Sequence, residues 1–515
     1  MNSSRSVLVG HLPPSQRASA TSLTTPTTLL PTMVQPNTTN QKRIIIRRVH
    51  AQIVHRHGDR SPITALRDEA YWQTQLYIDH ENVTAQRFVV LQDGTGRAHK
   101  ANGRGPFGKL TTLGWQQMVD LGKLLRREFL GGEVNASVLL QNTRQKTDNQ
   151  DIATETIIYP YIGRPVPSHI QMISTSFERA IQSAQGVLVG LLGEDYWADH
   201  CETISGGTNN NQDDEAASKV TIDARHTVRL LPDPQPRETA EQIELEDVLA
   251  ARPHLQTVED ELLPLAQRVT AALQPLLAAD AREAVFGAKQ QPRTPTLPVH
   301  ASDESIEIEP LAWNQLAEIT KCLACRGLLP NGENGSTAMS EQDHHDVVQH
   351  AAWRWFESFR HPRLAYLSMH QQVEHMVGAC RRFADAYERG ATTEPPLVLY
   401  SAHDSTLIGL LCALKLEQPV AWPEYGSFLL MELLQVAVVN NQDTIESETV
   451  GDNAAWYIRF SLNGQLLRNM WEEDEQPQEM IRLQRLMEKL EKEDAATRGL
   501  TKTAADYRYV SPQSD

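Results

Sequence analysis

The chain has 515 residues, 40% hydrophobic and 22% charged, with 48 Lys+Arg against 65 Asp+Glu and a formal net charge of −17. That composition is globular and excludes collagen-like or wholly low-complexity chains. It also argues against a general binder of nucleic acid or anionic membrane, the more so because residues 1–58 hold seven basic and no acidic side chains, leaving −24 for the remainder. Five cysteines in this length do not make a disulfide framework, and the odd count leaves at least one unpaired.

In chain order, residues 1–43 read as a disordered or targeting head. They are rich in Ser, Thr and Pro, carry Arg5 and Arg17 and lack acids, a composition shared by organellar (for example mitochondrial) transit peptides and plain disordered tails. Arg5, His11, Arg17 and several prolines break up any secretory-type apolar core. Sequons begin at Asn2, Asn37, Asn82, Asn135 and Asn334 and matter only in a secretory compartment. Ile44 to Val54 is β-rich and delivers a polar loop at its carboxyl end. Met118, Leu121, Leu125 and Phe129 recur at helical spacing within Leu113 to Leu130. Ile170 to Ile173 then Phe177 to Leu192, and Leu397 to Tyr400 then Ser405 to Leu414, repeat the strand-to-helix pattern. Three such units predict an α/β sheet whose ligands sit beyond the carboxyl ends of its strands.

Residues 195–390 change character to Asn/Asp-rich loops and acidic helices, including Asn209 to Asp214 and the Pro-rich Pro292 to Pro298. Phe428 to Val438 and Trp456 to Leu462 read as paired strands, and Met480 to Leu490 as an amphipathic helix. No apolar run reaches the roughly 20 residues of a membrane span. The division is a head over 1–43, an α/β core over 44–194, a mostly helical cap insertion over 195–390, the second part of the core over 391–470, and a C-terminal helix and tail over 471–515.

The strongest motif is Arg56-His57-Gly58-Asp59-Arg60-Ser61-Pro62. Two guanidiniums flank an imidazole, and Gly58 lets the backbone turn so that all three can converge on one small anion. A phosphate monoester suits that set, since Arg forks bind phosphoryl oxygens bidentately and a neutral imidazole nitrogen can attack phosphorus. The heptapeptide resembles the signature of the histidine acid phosphatases, branch 2 of the histidine phosphatase superfamily. Three further segments resemble the family in order and spacing: Lys109 to Gln117, Ser174 to Ala184 and Tyr400 to Leu407. The resemblance spans roughly residues 45 to 465 and is thin across the cap.

The resemblance implies a histidine-phosphatase-like central sheet with flanking helices. It implies His57 as the nucleophile that becomes phosphohistidine, Arg56, Arg60, Arg179 and His403 as phosphate-binding residues, and Asp404 as the acid that protonates the leaving oxygen. No metal or other cofactor is expected, and activity is expected to be highest at acidic pH. The expected partner is a small phosphorylated substrate, with lysophospholipid, sugar and inositol phosphates all left open. The competing class is a catalytically silent module of the same fold that only holds phosphorylated ligands. Mutase-like branch 1 proteins fit less well, because Arg60 followed by Pro62 resembles branch 2. His55 departs from the family, which more often has an apolar or aromatic residue there, and leaves the local pKa of the site open.

Three other patterns read as structural. Gly103 to Gly108 spells a dinucleotide fingerprint, but Pro106 removes an amide donor and no strand immediately precedes it, so a flexible loop is expected. Cys322 and Cys325 have no second cysteine pair to complete a zinc site and read as a structural pair, reduced or bridged. His344, His345 and His350 lack tight ligand spacing and read as a solvated helix face.

Overall fold

A computed structural model describes residues 42–79, 87–92, 104–130, 156–158, 169–197, 220–225, 230, 253–278, 309–332, 337–359, 362–391, 395–417, 421–440, 455–471 and 478–499. The head over 1–41, all five sequons, Asn209 to Asp214 and Pro292 to Pro298 lie outside the described residues.

The Ile/Val-rich segment after the head forms β1 (Lys42–Arg56), the strand on which the sheet is organised. Along one edge it pairs antiparallel with β7 (Phe428–Asn440), with a register shift between Arg48 and His50. Along the other it pairs in parallel first with β3 (Thr156–Ile158) and then with β6 (Leu397–Ala402). Beyond β6 the parallel order continues through β4 (Ile170–Ser174), β5 (Val220–Ala224) and β2 (Phe88–Gln92). Beyond β7 come the antiparallel β8 (Ala455–Leu462) and β10 (Met480–Arg482), and β9 (Gln465–Leu467) hairpins onto β8. All six residues of β6 are buried, in keeping with its apolar start over Leu397 to Leu399.

Successive residues of β1 serve opposite faces. Ile53 packs with Met118, Leu121, Leu125 and Phe129 of α2 (Thr112–Leu130) and with Val187, Leu188 and Leu191 of α3 (Glu178–Leu192). Val54 joins Met369, Val373 and Met376 of α8 (Pro362–Glu388), Leu407, Leu410 and Leu411 of α9 (Asp404–Ala413) and Leu486 of α10 (Leu483–Gly499). A separate apolar cluster joins Trp72 of α1 (Glu69–Gln75) and Phe107 to Leu265 and Val269 of α5 (Leu263–Leu273), Leu316 and Ile319 of α6 (Trp313–Ala324) and Val347 of α7 (Glu341–Phe359). The short α4 (Pro253–Glu261) precedes α5.

Two elements differ from the pattern-based reading. Strand β5 lies inside the stretch read as mostly helical, where it pairs with β4 and β2. The C-terminal helix begins at Leu483, not Met480, because Met480–Arg482 pairs with Arg459, Ile458 and Tyr457 at the open edge of β8. Among the described residues no helix is long and apolar enough to cross a membrane.

Candidate active site

Parallel register fixes the site before any side chain is considered. Arg56 lies opposite Ala402, and Ser174 opposite Ser401, so β1, β6 and β4 end side by side. The next residues extend the pairing: His57 N–H donates to the Ala402 carbonyl at 3.0 Å and Thr175 N–H to that of Ser401 at 3.1 Å. Helices α3 and α9 begin just after two of these strand ends, which directs their partly positive N-termini toward the same place. His57, His403 and the guanidiniums of Arg56, Arg60 and Arg179 are thereby gathered, all buried. The His57 and His403 rings lie 5.4 Å apart, edge to face.

Gly58 is required by a backbone crossing. A Cβ there would stand 2.3 Å from the Gly114 carbonyl oxygen, and one on Gly114 would stand 2.1 Å from that of Asp59. The segment Lys109 to Gln117 therefore braces the loop: Thr111 Oγ1 donates to Asp59 Oδ2 at 2.5 Å, and Gln117 Oε1 accepts from Asp59 N–H at 2.8 Å.

His57 Nδ1 lies 2.8 Å from the Gly58 carbonyl oxygen. A carbonyl only accepts, so Nδ1 carries the ring proton and Nε2 keeps a free lone pair. Burial, then repulsion from Arg179, Arg56, His403 and Arg60, holds the His57 pKa well below the ordinary imidazole value. The ring is neutral. His403 is held low in the same way, by burial first and then Arg179, and its Nε2 is 3.0 Å from Thr175 Oγ1.

The three arginines are anchored at one nitrogen each or more, yet the Nε–H of Arg56, Arg60 and Arg179 has no hydrogen-bond partner among the described residues. Buried cationic donors left this way form a ready anion site. Arg56 Nη1 donates to the Pro423 carbonyl at 2.5 Å, its Nη2 pairs with Asp404 Oδ2 at 2.8 Å, and the Tyr425 ring lies 4.1 Å away. Arg60 Nη1 pairs with Glu318 Oε2 at 2.9 Å. Arg179 Nη1 reaches the Gly108 carbonyl at 3.3 Å, and burial, with repulsion from Arg60, lowers it to about 9, still cationic at neutral pH.

Asp404 sits at the edge, its side chain 20% exposed. Burial alone would raise its carboxyl, but Arg56, the Trp422 indole N–H at 2.8 Å, His403 and Arg60 outweigh that and hold it at about 2. All six side chains named from the sequence thus lie at one site, with Asp404 toward solvent and the imidazoles inside.

Several neighbours had no sequence signal of their own. Glu318 on α6 accepts from Ile63 N–H at 3.0 Å and Thr64 N–H at 2.8 Å besides pairing with Arg60. Arg326, just past the same helix, pairs with buried Asp59. Trp422 and Tyr425 flank Pro423 in the turn before β7; only that Pro and Gly426 mark it in sequence.

The remaining patterns resolve individually. Cys322 and Cys325 are both free; Cys322 is buried with Sγ 3.4 Å from the Arg60 carbonyl, and Cys325 is exposed. His350 is not on a solvated face: it is buried against Trp313, ring centroids 4.2 Å apart, and burial lowers it to about 4. The described end of the Gly103 to Gly108 loop is anchored, with Phe107 fully buried and Gly108 N–H donating to the Pro62 carbonyl at 2.8 Å. His55 is buried and neutral, lowered to about 4 by burial, and is not among the main groups acting on the His57 imidazole. Among the described residues no group of three or more His, Cys, Asp or Glu is placed to hold a metal ion.

Comparison with solved structures returns low-identity likenesses. A Citrobacter braakii phytase is 14% identical, covering 89% of this chain and all of its own, with a TM-score of 0.49. The Klebsiella sp. ASR1 phytase is 12% identical, covering 89% and 99%, at 0.43. The Bifidobacterium longum multiple inositol polyphosphate phosphatase, in complex with inositol hexasulfate, is 12% identical, covering 86% and 92%, at 0.44. No curated protein matches. A family model described as histidine phosphatase superfamily (branch 2) matches residues 49–290 and 336–463, which takes in the strands, the loop and both helix starts that build this site. The chain belongs to branch 2 of the histidine phosphatase superfamily and is a phosphatase of the phosphoric monoester hydrolase class.

Proposed function

We propose that the protein hydrolyses small phosphomonoesters through a covalent intermediate on His57. The observation that carries this reading is the tautomer: with the proton on Nδ1 held by the Gly58 carbonyl, Nε2 presents its lone pair among three arginines. Arg56, Arg60, Arg179 and His403 bind the phosphoryl oxygens and take up the charge that builds on them. Nε2 forms a bond to phosphorus while the P–O ester bond breaks, and the departing oxygen takes a proton from Asp404. Water then attacks phosphorus as the P–N bond breaks, Asp404 takes the water's proton, and phosphate leaves.

Charge neutralisation in this scheme comes from guanidiniums and needs no metal ion. Asp404 lies at about 2 because Arg56 faces it. A phosphate dianion that engages Arg56 cancels that effect and raises the carboxyl, giving an acidic optimum. The test is rapid-quench labelling with a ³²P-monoester in buffer containing a chelator. Wild type should show an acid-labile, base-stable phosphoenzyme and release phosphate, and His57→Ala neither. Labelling that survives in His57→Ala rejects the assignment, and binding without phosphate release favours the silent module.

A further inference from the structure

Residues 291–335 fall between the two stretches matched by the family model, and α6 lies within them. One turn beyond Glu318 on that helix stands Lys321, a lysine with a side chain only 7% exposed. Its Nζ lies 2.8 Å from Glu424 Oε1, and the Glu424 side chain is 70% exposed. Glu424 belongs to the turn whose Trp422 holds Asp404, whose Pro423 carbonyl accepts from Arg56 and whose Tyr425 covers Arg56. Lys321 therefore faces the leaving-group side, and Arg56, Glu424 and Asp404 all act on its charge.

The pair is unequal. A buried ammonium needs an anion beside it, whereas a carboxylate that is mostly in water loses little when released. An incoming anion can thus replace Glu424 without leaving Lys321 unpaired. We propose that Lys321 binds a second anionic group, carboxylate or phosphate, on the alcohol portion of the substrate, in exchange for Glu424. This rests on the reading of Asp404 as the group beside the leaving oxygen.

The experiment measures competitive Ki values against 4-nitrophenyl phosphate hydrolysis for three compounds: glycerol 3-phosphate, 3-phosphoglycerate and glycerol 1,3-bisphosphate. Wild type should bind at least one of the latter two more tightly than the first, and the one preferred identifies the second anion. That preference should fall about tenfold in Lys321→Met and rise several-fold in Glu424→Gln, which removes the competing carboxylate. The opposite signs separate binding from misfolding. No preference in wild type, or preferences that move together in both variants, overturns the proposal. Failure of the underlying reading looks different: 4-nitrophenyl phosphate is not hydrolysed, or its hydrolysis survives His57→Ala.

Discussion

At the scale of single residues, Arg56 and Arg60 push His57 and Asp404 the same way, toward loss of a proton, with opposite consequences for the two proposed roles. Burial, with Arg179 and Arg56 beside it, keeps the imidazole unprotonated, as the proposed nucleophile must be, and Arg56 favours loss of the proton from the carboxyl, which suits the proposed acid role only once phosphate engages that arginine. Asp404→Asn keeps the size of the side chain but cannot deliver a proton. Its turnover of an alkyl phosphate should fall by about 10²–10⁴-fold, with a much smaller loss for 4-nitrophenyl phosphate, whose leaving group departs unprotonated. The sign of the pH dependence follows. Wild-type turnover of the alkyl ester should decline as pH rises and Asp404 loses its proton in the complex, and that limb should vanish in Asp404→Asn. Equal losses on both substrates, or a wild-type rate that climbs through neutrality, would reject the role.

At the scale of elements, the strand ends were legible and the contacts of α6 were not. The loop after β1, the start of α3 and the start of α9 each announce themselves locally, by apolar runs that stop at polar residues, and parallel register does the rest. Glu318 gives no such notice, since it is separated from Arg60 by 258 residues and its helix carries no motif. Its contacts with Arg60 and with two loop amides fit a positioning residue for the guanidinium proposed to bind phosphate. Glu318→Gln should lower kcat/KM about tenfold and raise the Ki of inorganic phosphate in parallel, with partial recovery in Glu318→Asp. A change in melting temperature with an unaltered phosphate Ki would reduce Glu318 to a scaffold role. The anchoring of His350 was illegible for a related reason: Trp313, against which it packs, lies on another helix, so its sequence neighbours could suggest only a solvated face shared with His344 and His345.

At the scale of the whole molecule, the buried neutral histidines set acid chemistry against acid stability. His55 and His350 are held at about 4, and His57 and His403 well below the ordinary value, whereas in the unfolded chain each titrates near 6.5. Their contribution is complete above that value and is lost as pH falls toward the folded pKa, because the unfolded chain binds the protons first. For His55 alone the loss is about 2 kcal/mol at pH 5. Asp404 acts in the same direction but only below about pH 4, where the unfolded carboxyl begins to protonate. The melting temperature should therefore drop between pH 7 and pH 5, and saturating phosphate should restore part of it by binding the folded state. A melting temperature that is flat or rises on acidification would contradict the burial of these rings as neutral groups. The −17 of the whole chain is no guide to the site itself, where the buried Arg56, Arg60 and Arg179 set the local charge.

The crossed pairs that tie the loop to α6 and the residues just past it, Arg60 with Glu318 and Asp59 with Arg326, also carry information. Two neighbouring loop residues of opposite sign each demand a different partner, so attachment and alignment are specified together. A helix seated three residues out of place would bring Lys321 to Arg60, like charge against like, and both pairs would be spoiled at once. Charge pairing of this kind favours one seating of α6 on the loop over its nearest misalignments, in the manner of a parity check.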